Sequence, residues 1–303
     1  MITRELMTRE VEIINGRRIY KATISVLAMA MMVSGSAYGQ TPKPPVKPPS
    51  KTKVAQKTTS GLAPFTVTLP GSTVKIKMIP IPGGTIKIGD KTVVLKPYWV
   101  SETELPWEAF DVFLSSGPPS PPYDVTEYKA DAIARPSKSY ILPDLGWGHN
   151  GYPVINVSST SADMFGRWLA SVSKKKFRLP TEAEWEWACR AGSTGNAPLT
   201  KAEADKVAWH EGNSDAQTHP VGKKQANKYG LFDMYGNAGE WTTDMAGEPV
   251  LCGSFFDDPL KNLIPTMRRP WEPAWQESDP QFPKSRWWLA NGPFAGMRIV
   301  CQP

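Results

Sequence analysis

Two adjacent carboxylates, Asp257 and Asp258, have side chains that could exchange a proton with a substrate. A carboxyl group held close to a reacting atom can act as a general acid or a general base. Pro259 follows the pair directly, and an Asp-Asp-Pro run is also typical of a turn. The sequence favours the turn, and proton transfer is the alternative.

The three histidines, His149, His210 and His219, are the other side chains suited to acid–base or metal chemistry. His210 and His219 enclose Glu211 and Asp215, so four side chains of this segment could be metal ligands. Their spacing is not that of a zinc site, and the segment has the composition of a loop. We therefore expect no zinc there. No Ser-His-Asp set and no phosphate-binding glycine loop is recognisable.

The three cysteines, Cys189, Cys252 and Cys301, allow one disulfide at most, and their spacing does not rank the three possible pairings. Cys252 lies in a segment with strand-like composition. A buried free cysteine usually behaves as a small hydrophobic residue. We expect Cys252 to pack in the core rather than to react.

Three helices that would position these residues are indicated by capping residues and apolar spacing. Pro106 is expected at the first position of one helix. A second follows the capping residues 158–161 and ends near the lysines 174–176. A third begins at the capping box of Thr181 and Glu184 and is closed by Gly192. The side chains that face the core on the first two are Trp107, Phe110, Phe113, Leu114, Ala162, Phe165, Trp168 and Leu169.

Strand-like runs are short, and they do not alternate regularly with the helices. They cover residues 74–79, 85–88, 93–95, 98–100, 154–157 and 297–300. All twelve tryptophans lie at or beyond Trp99, in a region interrupted by Gly, Pro and Asn, so long loops packed by aromatic side chains are expected. This pattern predicts an α+β domain rather than a doubly wound one.

The N-terminal residues 1–39 have the layout of a secretory signal peptide. Arg17, Arg18 and Lys21 precede an apolar stretch, residues 22–33, and small residues follow it. The stretch is shorter than the roughly 20 residues that span a bilayer, so we expect cleavage and a periplasmic or extracellular protein, with an uncleaved anchor as the alternative. Residues 40–73 are predicted to be a Pro/Lys-rich tether and residues 74–303 the one working domain.

The net charge of +6 does not belong to the domain. Residues 1–39 contain five basic and three acidic residues, and residues 40–62 contain five lysines, which leaves about −1 for the rest. A near-neutral domain is not expected to bind nucleic acid. The lysines of the tether are suited to an anionic cell-wall or membrane surface.

Four segments, read in order, resemble the formylglycine-generating-enzyme or sulfatase-modifying-factor family. They are MIPIPGGT (78–85), PVINVS (153–158), RLPTEAEWE (178–186) and GLFDMYGNAGEW (230–241), and a closing GMR at 296–298 is similar to the family's terminal Gly-Phe-Arg. The resemblance covers about residues 75–301. It implies a C-type-lectin-like α+β fold, the FGE-sulfatase fold, with little regular secondary structure.

The same resemblance implies a pocket whose usual chemistry is missing. In the family's oxidases, two cysteines a few residues beyond a Gly-Gly-Ser segment bind copper and engage the substrate thiol. Here the segment is CGS, ending at Ser254, and Asp257 and Asn262 stand at the cysteine positions. Copper(I) prefers thiolate ligands, so no copper is expected. Gly239 replaces the family's tryptophan before Glu240, whereas Ser254 matches a pocket serine; Ser254, Asp257, Asn262 and Gly239 are the pocket candidates.

A structural calcium site is a further implication of the resemblance. Its donors would be the carboxylates of Asp233 and Glu240 with the carbonyls of Gly236 and Ala238, a mixture of oxygens that calcium accepts. The alternative is a turn in which Glu240 accepts hydrogen bonds from loop amides.

Two functions are therefore open. The first is an exported, non-catalytic binding module for an unknown peptide, glycan or small molecule. The alternative is a divergent periplasmic oxidase acting on a small molecule or peptide, similar to the pyoverdine-maturation members that also lack the cysteines. Four tryptophans could wall a ligand groove beyond the pocket, although packing is favoured for most of them. They are Trp271, Trp275, Trp287 and Trp288.

Overall fold

The computed structural model describes residues 6–14, 17–25, 61–116, 139 and 142–303, in two units, Met1–Val54 and Ala55–Pro303. In the first unit, β1 (Leu6–Ile14) and β2 (Arg17–Ser25) form an antiparallel hairpin. β2 contains the basic residues predicted to open a signal peptide. The apolar residues 26–33, the small residues after them and the tether up to residue 60 lie outside the described residues. Export and cleavage stay predictions.

The second unit contains the α+β domain. Its strands are β3 (Phe65–Thr68), β4 (Lys75–Ile81), β5 (Gly84–Ile88), β6 (Lys91–Leu95), β7 (Tyr98–Ser101), β8 (Lys176–Arg178), β9 (Gly239–Thr243), β10 (Pro249–Cys252), β11 (Arg268–Pro270), β12 (Ala295–Met297) and β13 (Val300–Gln302). Its helices are α1 (Trp107–Ser115), α2 (Ser159–Ser173), α3 (Glu182–Arg190) and α4 (Lys201–Val207), with 3₁₀ turns at Leu260–Asn262 and Pro273–Gln276. The α+β class predicted from the sequence is confirmed.

Three sheets organise the domain. The largest has the order β3-β4-β7-β13-β8 with antiparallel pairs throughout. The second has the order β11-β10-β9-β12, in which only the β12–β9 pair is parallel. β5 and β6 form a separate hairpin. The second sheet carries the residues of the predicted pocket.

Aromatic side chains fill the core, as the placement of the tryptophans indicates. The apolar faces of α1 and α2 pack against each other. The ring centroids of Phe110 and Phe165 are 6.2 Å apart, and those of Phe113 and Trp168 are 5.5 Å apart. Trp241 from β9 is fully buried in the same cluster and donates its indole N–H to the carbonyl of Val157 at 2.8 Å. The packing joins the helices to the sheet that holds the site.

The helix ends follow the predicted caps, with two differences. Ser158 caps α2, and Thr181 and Glu184 form the capping box of α3. Pro106 is the N-cap of α1 rather than its first residue. Helix α4, which was not predicted, begins at a capping box formed by Thr200 and Glu203. The same Thr-x-x-Glu pattern that marks the start of α3 is present at Thr200 and Glu203, so the sequence contains the signal for this helix.

Two predicted strands are wrong. Residues 154–157 form no regular strand: Asn156 has a left-handed φ of 58°, and only an isolated bridge joins Val157 to Trp288. Residues 297–300 are not one strand, because β12 and β13 belong to different sheets and the chain changes sheets at Arg298.

The predicted boundary of the domain is also wrong. β3 begins at Phe65 and pairs with β4, so the tether ends before Phe65 rather than at residue 73. No helix among the described residues is both long and apolar enough to cross a bilayer.

Candidate functional site

Asp258 stabilises the turn that lies at the predicted pocket. Its carboxylate, 3% exposed, accepts the backbone N–H of Phe255 at 2.9 Å and Nη2 of Arg269 at 2.6 and 2.7 Å. Asn262 donates its side-chain N–H to the same carboxylate at 2.7 Å. Asn262, one of the two residues at the cysteine positions, is therefore engaged in holding the turn. Asp257, the residue before Asp258 and the other residue at a cysteine position, is half-buried.

Ser254 and Gly239 are both buried. Ser254 is 1% exposed, and its hydroxyl oxygen accepts the backbone N–H of Gly236 at 3.0 Å. A Cβ atom added to Gly239 would lie 2.7 Å from Cδ2 of Leu251, a distance at which something must move. Leu251 is fully buried on β10 and occupies the space next to Gly239. A tryptophan at position 239 would not fit beside it.

The outer side of this turn is covered by Phe256. This side chain is 5% exposed and packs edge-to-face with Trp147, at 5.1 Å between ring centroids. Ser214 donates its hydroxyl to the carbonyl of Phe256 at 2.8 Å, and the N–H of Phe256 donates to the carbonyl of Asn237 at 3.0 Å. The structure therefore packs Ser254 and Gly239 in the interior and leaves Asp257 and Asn262 half-buried.

The three cysteines are free and buried. Burial raises the pKa of the Cys252 thiol to about 12, and Sγ lies 3.1 Å from the hydroxyl of Thr242. Burial also raises the pKa of Cys189 to about 12 and raises that of Cys301. A thiol with a pKa near 12 contains almost no thiolate at neutral pH, so Cys189 and Cys252 are poorly suited to act as nucleophiles.

Glu240 forms a fully buried ion pair with Arg298. Nε of Arg298 lies 3.0 and 2.9 Å from the two carboxylate oxygens of Glu240, and Nη2 lies 2.9 Å from one of them. Trp185 on α3 donates its indole N–H to the carboxylate at 2.6 Å. Burial alone would lower the pKa of Arg298, but the contact with Glu240 raises it. Arg298 thus acts as the main cationic partner of Glu240.

Asp233 and Glu104 give the same cluster an excess of acid. Asp233 accepts the N–H of Gly222 at 2.7 Å through one oxygen, and its other oxygen, Oδ1, has no hydrogen-bond partner among the described residues. Glu104, which the sequence did not single out, accepts the N–H of Ala238 at 2.8 Å and the side chain of Asn237 at 2.7 Å. Burial raises the pKa of Asp233 to about 6 and raises that of Glu104 well above its usual value, where Asp233 and Glu240 add to the shift.

This cluster fits a bound cation in part. A cation would complement the Oδ1 of Asp233, which lacks a hydrogen-bond partner among the described residues, and the three carboxyl groups beside Arg298 and Lys224. Glu240, in contrast, already has a cationic partner in Arg298. Of the four predicted calcium ligands, Asp233 is therefore the best supported by the geometry.

The histidines form separate hydrogen-bonded contacts. In the described residues no group of three or more His, Cys, Asp or Glu side chains is arranged to hold a metal ion. His210 pairs with Asp205 at 3.0 Å, and His219 stacks on Trp209 at 3.8 Å. His149 contacts Asp111 on α1 at 2.7 Å and Asp144 at 2.8 Å.

The tryptophans of the insertion after β11 mostly pack inside. Trp275, Trp287 and Trp288 are between 6% and 7% exposed, whereas Trp271 is 47% exposed. Phe282, in the same insertion, is fully exposed, a feature that the sequence did not distinguish from its neighbours. Trp271 and Phe282 are the aromatic side chains of the insertion that solvent reaches.

Comparisons with known proteins agree with this architecture. The formylglycine-generating enzyme of Mycobacterium tuberculosis is 37% identical over 106 residues, 31% of this chain and 33% of that enzyme. A protein of Paenibacillus barcinonensis named chaperone protein LppX is 27% identical over 219 residues, 59% of this chain and 75% of that protein. The chain thus spans about a third of the mycobacterial enzyme that it matches.

Solved structures show the same fold. Treponema denticola variable protein 1 superposes with a TM-score of 0.57 at 22% identity, covering 80% of this chain and all of that one. PvdO from Pseudomonas aeruginosa superposes with a TM-score of 0.54 at 19% identity, covering 75% of this chain and 94% of that one. Residues 66–277 match the family described as the sulfatase-modifying factor enzyme 1-like domain. With 212 of its 303 residues matched, the chain belongs to this FGE-sulfatase family.

Proposed function

We propose that this protein is a non-catalytic binding module built on the FGE-sulfatase fold. The observation that carries the proposal is that three of the four pocket candidates are engaged in structural contacts. Asn262 donates to the carboxylate of Asp258, Ser254 accepts a backbone N–H, and Leu251 occupies the space beside Gly239. A substrate thiol and a copper ion need an open pocket with thiolate ligands. Asp257 and Asn262 supply no thiolate at the two positions where the family has cysteines.

The first experiment tests for oxidase chemistry. The purified full chain is incubated with copper(I), oxygen and a cysteine-containing peptide of the sulfatase type, beside an active formylglycine-generating enzyme. We expect no oxygen uptake above that of the buffer and no mass change in the peptide. Copper-dependent turnover by this chain would refute the proposal.

A matched variant separates missing ligands from a closed pocket. The double substitution Asp257→Cys and Asn262→Cys places thiols at the two positions where the family has them. We expect it to bind copper(I) more tightly than the wild-type chain in a competition with a copper(I) chelator, because thiolate is the preferred ligand. Equal weak affinity of the two proteins would mean that the geometry of the turn, and not the missing thiols alone, prevents copper binding, whereas tight binding by both would contradict the proposal.

The alternative, a divergent oxidase that acts without the cysteines, is less well supported. It rests on Ser254, which is buried and bonded to Gly236, and on a fold that PvdO shares. Oxygen uptake by the wild-type chain with small thiols or phenols, without added copper, would favour this alternative over the binding module.

We propose that the ligand is a peptide or a glycan held against the exposed aromatic side chains Trp271 and Phe282. Exposed aromatic rings offer large apolar contact areas at a low cost in conformational entropy. Arrays of immobilised peptides and glycans can be screened with the full chain. Trp271→Ala and Phe282→Ala should lower the affinity by about 10-fold or more, whereas Leu142→Ala, at an exposed apolar residue elsewhere, should not.

The protein is further proposed to be exported. The support is the order of basic, apolar and small residues before residue 40. N-terminal sequencing of the protein recovered outside the cytoplasm should find a start close to residues 38–40. Recovery of the intact N terminus in the cytoplasm alone would contradict export.

A further inference from the structure

A surface on the largest sheet combines lysines with exposed apolar side chains. Two surface cavities of about 710 and 620 Å³ share Leu62, Lys176, Gln302 and Pro303, so they adjoin. We call this surface the basic face. It is defined by Leu62, Val94, Lys96, Lys174, Lys175 and Lys176.

The basic face is cationic although the domain is not. Four lysines line the two cavities, and the acidic side chain that lines them, Glu184, is already paired with Arg178 at 2.7 Å. Lys175 lies 5.1 Å above the ring of Phe65, so its charge remains at the surface. Lys176 also donates to the carbonyl of Pro303 at 2.6 Å, which leaves its charge in place. The face is therefore locally cationic although the domain carries about −1 in total.

Two apolar side chains stand at the edge of the basic face. Val94 on β6 lines the larger cavity and is 77% exposed. Val172, in the last turn of α2 and two residues before Lys174, is 36% exposed. Lysines beside exposed aliphatic residues are the combination that binds the interface of an anionic bilayer.

The chain also enters the domain at this face. Gly61 and Leu62 line the smaller cavity, and the five lysines of residues 40–62 precede them in the sequence. The lysines of the tether are therefore linked through the chain to residues that line this face. Tether and face can act as two linked cationic elements, which raises the affinity beyond that of either alone.

We propose that the basic face docks on an anionic phospholipid membrane, with Val94 and Val172 in the headgroup region. The insertion with Trp271 and Phe282 is a separate surface, so docking and ligand binding are independent of each other. Anionic vesicles attract each nearby lysine with an energy that falls off within a Debye length. Binding should therefore be strong at low salt, absent on neutral lipid and lost at high salt.

Cosedimentation with vesicles tests the face against an equal loss of charge elsewhere. The full chain is mixed with vesicles of phosphatidylglycerol and phosphatidylcholine, or of phosphatidylcholine alone. The triple variant Lys174→Gln, Lys175→Gln, Lys176→Gln should bind the anionic vesicles about 100-fold more weakly. The matched triple variant Lys223→Gln, Lys228→Gln, Lys261→Gln, at exposed lysines that line neither cavity, should bind within a few-fold of the wild type.

A label reports which surface touches the lipid. The three native cysteines are buried, so an environment-sensitive dye can be placed at Val94→Cys or, as the control, at Phe282→Cys. The emission of the Val94→Cys label should shift to the blue on anionic vesicles, and that of the Phe282→Cys label should not. Equal losses in the two triple variants, a shift at Phe282 alone, or binding only to a soluble polyanion such as heparin would each overturn the proposal.

Discussion

At the scale of single residues, the most informative position is Gly239. Leu251 occupies the space into which a larger side chain at position 239 would extend. The absence of a side chain at Gly239 thus makes room for Leu251. Where the family has a tryptophan, this protein has a leucine side chain from the neighbouring strand in the adjacent space. One substitution cannot restore the pocket, since two side chains compete for the same volume.

Gly239→Trp should destabilise the domain by more than about 1–3 kcal/mol, the usual cost of overpacking a core. Urea unfolding followed by tryptophan fluorescence measures the change. The double variant Gly239→Trp, Leu251→Ala should recover part of the loss, because the smaller residue releases space. A Gly239→Trp protein as stable as the wild type would mean that the region is open.

Arg298→Met should cost about 3–5 kcal/mol of unfolding free energy, because it leaves the buried carboxylate of Glu240 without its cation. Arg298 and Glu240 are 0% and 1% exposed, so water cannot replace the lost partner. The double variant Arg298→Met, Glu240→Gln should be more stable than Arg298→Met alone, and urea unfolding compares the two. If both variants unfold at the same urea concentration, the pair carries no coupling energy.

At the scale of elements, short strands and loops place side chains from distant parts of the sequence together. The change of sheet between β12 and β13 turns Arg298 into the core, where it meets Glu240 from β9. Loop residues 142–152 are held to α1 through His149 and to the pocket region through Trp147. The elements that cover the region are thus fixed by polar contacts as well as by packing.

The contact of His149 with Asp111 and Asp144 should make stability depend on pH. Burial lowers the pKa of His149, but the hydrogen bonds to the two carboxylates outweigh it and raise the pKa above 6.5. The folded state therefore binds the proton more tightly, so the stabilisation is complete below pH 6.5 and disappears as the pH rises through the raised pKa. His149 and Asp111 are partly exposed, so less than about 1 kcal/mol is expected.

Urea unfolding of the wild type and of His149→Gln between pH 5 and pH 9 measures this contribution. The difference in unfolding free energy between the two proteins should be largest at the acidic end and should shrink towards pH 9. A difference that is constant over this range would show that the proton on His149 does not hold the loop to α1.

At the scale of the whole molecule, the buried acidic cluster links the two sheets to the loops. It contains Glu104 after β7, Asp233 in the loop before β9, and Glu240 on β9, with Arg298 between the last two strands. Three buried carboxyl groups lie near Arg298 and Lys224, and burial raises the pKa of two of them, Glu104 and Asp233. A cation bound to the folded state would stabilise the domain by mass action.

Calcium should raise the midpoint of thermal unfolding, and a chelator should lower it. At a calcium concentration 100 times the dissociation constant, the stabilisation would be about 2.7 kcal/mol. Asp233→Asn should abolish the response because it removes the charge of the carboxylate whose Oδ1 lacks a partner. Differential scanning calorimetry with and without calcium measures both, and a wild type that does not respond would exclude the calcium site.

Several features followed from the sequence because local rules fix them. The capping residues Ser158 and Thr181 and the apolar stripe of α1 gave the starts and buried faces of three helices. The strand predictions for residues 154–157 and 297–300 were wrong. The alternation of apolar and polar residues shows neither the left-handed backbone of Asn156 nor the change of sheet at Arg298. Strand patterns depend on neighbours that are distant in sequence, whereas helix caps depend on residues three positions away.

By itself the sequence determined the α+β class, the family resemblance and the replacement of the two cysteines by Asp257 and Asn262. Only the tertiary structure decided that Leu251 fills the space at Gly239, that Asp258 engages Asn262, and that Arg298 neutralises Glu240. These contacts join side chains on different strands and loops, and Glu240 and Arg298 are 58 positions apart. The sequence specifies the identity of each residue, but which side chains contact each other is determined only when the strands assemble into sheets.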